Sequence, residues 1–239
     1  STIFLIYTFY YLSKFTKIQI DFEQIFNLRK INNIFNINLN IFIRTVLLTF
    51  SFLWFTYLGT QIGEDYVAAN AILINLVFLS AFILDAYAFS TEGIVGYSLG
   101  KKDLSLFKNI VKNSFILSSI SGLIISIIYF FAYEYVINLM SDLEEIRELS
   151  SSYVIWLIIL PLISSFCYQF DGIFIGASQT KELRNAMVFS VLSYLIISII
   201  LTKLIFNNGI WISLCIFMIL RAISLFYYLD KIYLRFRNS

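Results

Sequence analysis

LSAFILDAYAFSTEGIVGYSLGKKD, residues 79–103, reads as an apolar helix that carries two carboxylates, Asp85 and Glu92, ahead of a glycine-spaced exit into Lys101 and Lys102. A charged group at mid-bilayer costs at least ~2.5–3.5 kcal/mol on insertion scales. Acids retained inside membrane-length apolar sequence are therefore read as lining a cavity or pathway rather than facing lipid. Seven positions make two helical turns, which puts Asp85 and Glu92 on one face. Ala86, Ala88 and Ser90 between them are small enough for close helix approach, while Phe82, Tyr87 and Phe89 supply bulk. The polar stripe is expected to point into a protein interior.

The composition around this stretch is that of a chain mostly inside a bilayer. Of 239 residues, 59% are hydrophobic and only 13% charged, with mean hydropathy +0.83. A soluble domain runs near ~50% apolar and ~25% charged. A net charge of +2 is too small to imply nucleic acid, and the cations are better explained by topology. The absence of histidine removes the commonest general base and metal ligand, so triads and His-containing zinc sites are excluded and no metal or other cofactor is expected. Cys167 and Cys215 lie in separate apolar runs and read as small buried residues.

At ~20 residues per span, the chain divides into residues 1–13, the end of a preceding transmembrane helix; 14–40, a polar, Asn-rich linker; and 41–230, a transmembrane lobe. The lobe has spans near 41–58, 67–99, 114–133, 153–176, 186–206 and 210–229, and a basic tail follows over 231–239. The opening Ser1-Thr2-Ile3 inside an apolar run is expected to mark the C-terminal part of a longer polypeptide. Arg44 is expected to snorkel from the start of its span. Gly93 and Gly96 are candidate places in the second for a bend or for close helix packing. Asp103–Asn113 reads as an amphipathic segment at the interface, with Leu104, Phe107, Ile110 and Val111 on one face. Pro161 interrupts the fourth span, and Asn207-Asn208-Gly209 reads as a tight turn.

Fourteen of the seventeen Lys and Arg fall in the linker and the start of the first span, the loops at 101–112 and 181–184, and the tail. All of these belong to one side. The positive-inside rule then puts linker and C-terminus in the cytoplasm, in a multi-pass protein expected in a bacterial inner membrane.

AANAILINLVFLSAFILDAYAFSTEGIVGYSLGKKD, residues 68–103, resembles the seventh-to-eighth-helix region of the DinF-like branch of multidrug and toxic compound extrusion (MATE) transporters. QFDGIFIGASQTKELRNAM, residues 169–187, resembles the end of the tenth helix and the loop after it. The two motifs occur in the family's order and spacing, and a weaker likeness runs from about residue 36 to 221. The resemblance implies an all-α integral membrane fold of twelve helices in two six-helix lobes (MOP superfamily), with a central cavity that opens alternately to each side. This chain would supply the end of helix six, the inter-lobe linker and the C-terminal lobe. Its partners would be the N-terminal lobe of the same polypeptide, the lipid bilayer, protons and a small lipophilic or cationic substrate. The acid credited with proton coupling in that branch belongs to the other lobe. The cation-binding glutamate that another branch carries on helix seven has no equivalent in residues 40–58, which favours protons over sodium.

Candidate site residues follow from the acids and their surroundings. Asp85, Asp171 and Glu92 are candidate cavity or coupling residues, each with a second reading. Asp85 and Asp171 could instead be structural polar contacts between helices, and Glu92 could snorkel or pair with Arg184, Lys101 or Lys102. Gln169 and Tyr168, beside Asp171, are candidate cavity polar groups. Asn70 and Asn75 are candidates too, although interhelical hydrogen bonding suits them better. Gly172 and Gly176, one turn apart, read as a helix-packing face. The function expected is a secondary antiporter, not an enzyme, that exports amphipathic or cationic compounds in exchange for protons. A lipid-linked oligosaccharide flippase of the same superfamily is the alternative. It would need cations inside the membrane, and Arg44 and Arg221 are expected near helix ends. An integral-membrane transferase is the alternative of another class. Asp85 and Glu92, about 10 Å apart by helical rise, are too far apart to share one magnesium ion.

Overall fold

The structure, a computed structural model, describes residues 27–237. The expected helix end over 1–13 and the first part of the linker, 14–26, lie outside the described residues. Six helices are described: α1 Leu28–Thr60, α2 Glu64–Gly100, α3 Leu104–Met140, α4 Glu144–Ser152, α5 Val154–Gly176 and α6 Thr180–Arg237. All but α4 are long and apolar enough to cross a membrane. The described chain divides into two units between residues 38 and 39. Residues 28–38 of the first are helical and largely exposed, with Leu28, Ile34 and Phe35 at the surface. The contacts described below lie within the second.

Several boundaries differ from expectation. The first span does not begin afresh at residue 41: it continues a helix that starts at Leu28 in the linker, a segment with no Pro or Gly to stop one. α2 runs unbroken through Gly93 and Gly96. It starts with Glu64 and Asp65 in its first turn, where acids complement the helix dipole. It stops at Gly100, but the left-handed residue of the exit is Lys102, with φ 57°. The amphipathic segment from Leu104 is the first part of a continuous 37-residue α3 rather than a separate interfacial helix. Of its expected apolar face, Phe107 and Val111 are buried and Ile110 partly so, while Leu104 is exposed along with Lys108 and Lys112. α5 accommodates Pro161 within its helical run.

α6 has 58 residues, about 87 Å at ~1.5 Å per residue, against a hydrocarbon core of ~30 Å. It reverses at Ile205 (φ −133°, ψ 22°) and Phe206 (φ 51°, ψ −133°), just before the expected Asn207–Gly209 turn. Gly209 then lies on the backbone of Leu201 and Thr202, an approach that leaves no room for a Cβ.

Glycines also set the α2–α5 seam. Gly172 sits on the Ala88 backbone and Gly176 on that of Glu92, so the two helices meet main chain to main chain. On α3, a Cβ at Gly122 would lie 2.9 Å from the Pro161 carbonyl oxygen. Two apolar cores result. One gathers Phe55, Leu73, Leu160, Tyr194, Trp211 and Phe217. The other gathers Val95, Phe107, Ile173, Phe174, Leu225 and Ile232. Ala222 packs against both, and its chain neighbour is Arg221.

Candidate functional site

At the seam between the cores, three helices bring charge together. Arg221 of α6 donates from Nη2 to Asp171 Oδ2 of α5 at 2.7 Å, and Arg44 of α1 donates from its own Nη2 to the same oxygen. The side chains are 1% (Arg221), 6% (Asp171) and 14% (Arg44) exposed. Arg44 sits on the face of α1 turned toward α5 and α6, so its guanidinium is held by Asp171 instead of reaching out to the interface. Around this ion triad several buried polar atoms have no partner among the described residues: Asp171 Oδ1, Nε of Arg44, Nε of Arg221 and Gln169 Nε2.

Asp85 is half-buried and lies within electrostatic reach of Asp171, Arg44 and Arg221. It makes no hydrogen bond or ion pair with a described residue. The cluster thus holds two cations and two acids, neutral when both acids are ionised and carrying one excess positive charge when Asp85 is protonated.

The other expected residues divide. Gln169 is fully buried beside the triad, its Oε1 3.0 Å from Thr91 Oγ1. Tyr168 is buried on the same turn. Glu92, two turns along from Asp85, is half-buried, and two of the cations expected for it have other partners. Arg184 donates to Asn40 Oδ1 at 2.8 Å and to Asn185, and Lys101 sits 4.6 Å over the Tyr97 ring.

Asn70 is remote from the cluster. It exchanges two hydrogen bonds with Asn207, at 2.6 and 3.0 Å, and its Oδ1 accepts from Trp211 Nε1 at 2.9 Å. That set clamps α2 to the reversal in α6. Asn75 is exposed on a different face of α2. Cys167 and Cys215 are free and buried.

The MatE family profile matches residues 41–204, from the start of the first expected span through the first limb of α6. The chain belongs to the MatE family. DNA damage-inducible protein F of Escherichia coli (strain K12) is 34% identical over 189 residues, 79% of this chain and 41% of that protein. Two solved structures share the fold. A MOP superfamily transporter from Pyrococcus furiosus Vc1 (DSM3638) matches with a TM-score of 0.74 and 22% identity, over 82% of this chain and 44% of its own. The Vibrio cholerae MATE transporter VcmN, in its bent form, matches with a TM-score of 0.77 and 16% identity, over 90% and 49%. The chain thus spans less than half the length of these relatives. MATE family members are transporters, not enzymes, and this MatE chain is a multi-pass membrane protein.

Two functional candidates of the MatE chain escaped the sequence reading. Arg44 and Arg221 were expected near helix ends, yet both reach the interior. Arg221 was detectable: it lies within FMILRAISLF, well inside a span, and a cation there requires an acid partner. Asp171 and Asp85 are the acids within its electrostatic reach.

Proposed function

We propose that the chain is the C-terminal lobe of a secondary antiporter that exports amphipathic organic compounds in exchange for protons. The observation that carries this reading is a half-buried, unbonded Asp85 within electrostatic reach of the buried Arg44–Asp171–Arg221 triad. An acid in that position changes the charge balance of the cluster each time it gains or loses a proton. Rearrangement of the bundle around it would alter its access and its affinity for the proton, as exchange requires. The partners are the N-terminal lobe of the same polypeptide, protons and a small lipophilic substrate. The favoured setting is a bacterial inner membrane with the C-terminus cytoplasmic.

The cationic substrate expected from sequence has less support than the antiport itself, because two guanidinium groups already claim the carboxylate of Asp171. The same observation strengthens the lipid-linked oligosaccharide flippase as a second reading, since interior cations are what a pyrophosphate-bearing lipid needs.

The test imposes a proton gradient on inverted membrane vesicles carrying the complete transporter and adds ethidium, a bile acid or an uncharged lipophile. Gradient dissipation by any of them, lost in Asp85→Asn at equal expression, supports antiport. Absence of any response, with a lipid-linked sugar accumulating in a deletion strain, transfers the assignment to the flippase.

A further inference from the structure

The triad is unbalanced in a way that points to a ligand. Two guanidinium groups converge on one carboxylate oxygen, Asp171 Oδ2, although each guanidinium has five N–H donors in a planar fork suited to two oxygens at once. Nε of both arginines is buried and unpartnered. The titratable groups that reach Arg221 are Cys167, Asp171, Tyr168 and Asp85, so Asp171 and Asp85 are the only carboxylates among them.

Arg44 is the most open member of the triad, its side chain 14% exposed. One helical turn on from Arg44, Leu48 begins a groove of about 470 Å³ between α1 and α2, lined by Leu48, Thr49, Phe52, Leu53, Ile74 and Phe78, with Thr56 at its far end. An apolar groove one helical turn from a largely buried arginine offers a place for a hydrocarbon beside a place for an acid. A cation would have to displace two guanidinium groups to reach Asp171.

We propose that Arg44 and Arg221 bind the acidic head group of an amphiphile, a carboxylate or a phosphate, whose hydrocarbon lies in the α1–α2 groove. This rests on the transporter reading of the same cluster and assigns its substrate class. Arg44, the more exposed of the two, is the arginine that turns from Asp171 to the ligand. Arg221 stays paired with Asp171 and adds its free edge.

The experiment measures saturable binding of radiolabelled dodecanoate, dodecyl phosphate and dodecyltrimethylammonium to the complete transporter in nanodiscs, with empty discs subtracted. At least one acid is expected to bind, with no competition from the ammonium compound. Arg44→Gln should weaken acid binding about tenfold or more, the worth of a charge-assisted hydrogen bond, and Arg44→Lys should recover part of it. Thr49→Phe, which narrows the groove without touching the charges, should weaken dodecanoate more than butanoate. That variant keeps the proposal open to refutation should Arg44→Gln fail to fold.

Binding by dodecyl phosphate alone supports the site with a phosphate head, as on a lipid, and binding by dodecanoate supports a free acid. Equal binding of the ammonium compound, or acid binding unchanged in Arg44→Gln and Thr49→Phe, overturns the proposal. A proton gradient dissipated by the ammonium compound and not by the acids also overturns it, and leaves antiport standing. Saturable, Arg44-dependent acid binding with no gradient response supports the site and removes the antiport reading instead.

Discussion

Arg221 Nη2 and Asp171 Oδ2 lie 2.7 Å apart, joining the second limb of α6 to α5 with both side chains buried. Removing one member of a buried ion pair leaves the other uncompensated, at a cost of ~3–5 kcal/mol. Asp171→Asn strands two guanidinium groups and should lower thermal stability by about that amount in detergent. Adding Arg44→Gln removes one stranded charge, so the double variant should be more stable than Asp171→Asn alone. Strict additivity of the two substitutions would show that Arg44 and Asp171 do not interact in the folded protein.

Asp85 should behave in the opposite way. It has no hydrogen-bond partner among the described residues, so Asp85→Asn removes charge without breaking a bond and should cost clearly less stability than Asp171→Asn. Gradient-driven export should be lost in the same variant. A stable Asp85→Asn protein that still exports would remove Asp85 from the coupling role.

Much of this architecture was readable from residues whose physical cost demands an explanation. Asp85 and Asp171 are too expensive in lipid to face it, and Gly172 and Gly176 sit at the spacing of a close helix contact. The missed features lacked such a signal or had an innocent reading. Arg44, close to the start of an apolar run, has the long stem of a snorkelling residue, and only the third dimension shows it turning inward. The reversal in α6 falls on Ile205 and Phe206, ordinary apolar residues, while the expected turn formers Asn207 and Asn208 spend their side chains on Asn70 and Trp156. Packing of Gly209 against Leu201 fixes that corner, with Phe206 adopting a left-handed conformation that bulky residues rarely take.

The Asn70 clamp makes its own prediction. Asn70→Ala leaves the Asn207 amide and Trp211 Nε1 buried without their partner, and each unsatisfied group costs ~1–3 kcal/mol. Trp211→Phe in the Asn70→Ala background removes one of those stranded donors, so it should cost less there than in wild type. Thermal unfolding of the four proteins decides it. Equal cost in both backgrounds would mean that the Asn70–Trp211 bond contributes nothing.

Outside the spans, Asp103 caps α3. Its Oδ1 accepts from the Leu106 backbone N–H at 2.9 Å and from the Ser105 hydroxyl at 2.7 Å. The Leu106 bond first, then the Ser105 hydroxyl, holds its carboxyl below the ordinary 3.8. A carboxylate with a depressed folded-state pKa contributes stability that is fully present above 3.8 and is lost as pH falls through the lower folded value. Asp103→Ala should therefore melt lower than wild type at neutral pH, with the gap closing under acid. Asp103→Asn, which keeps an N-cap oxygen without the charge, should stay near wild type at neutral pH and lack that acid-dependent component. A gap that is constant across the acid range would assign the effect to something other than the carboxylate.

The α2–α5 seam gives the sharpest contrast, because two glycines one helix apart predict opposite signs for one substitution. At Gly172 a Cβ would collide with the Ala88 backbone, which cannot yield without separating the helices. Gly172→Ala should cost ~1–3 kcal/mol, as overpacking does. At Gly93, two turns before the end of α2, nothing lies within 4 Å of the added carbon. There Ala only restricts the unfolded chain, and Gly93→Ala should stabilise by ~0.4–1 kcal/mol. Melting curves of the two variants against wild type test both signs at once. A neutral Gly172→Ala would mean that α2 and α5 do not meet main chain to main chain, and with them would move Asp171 and Asp85, which those helices carry to the cluster.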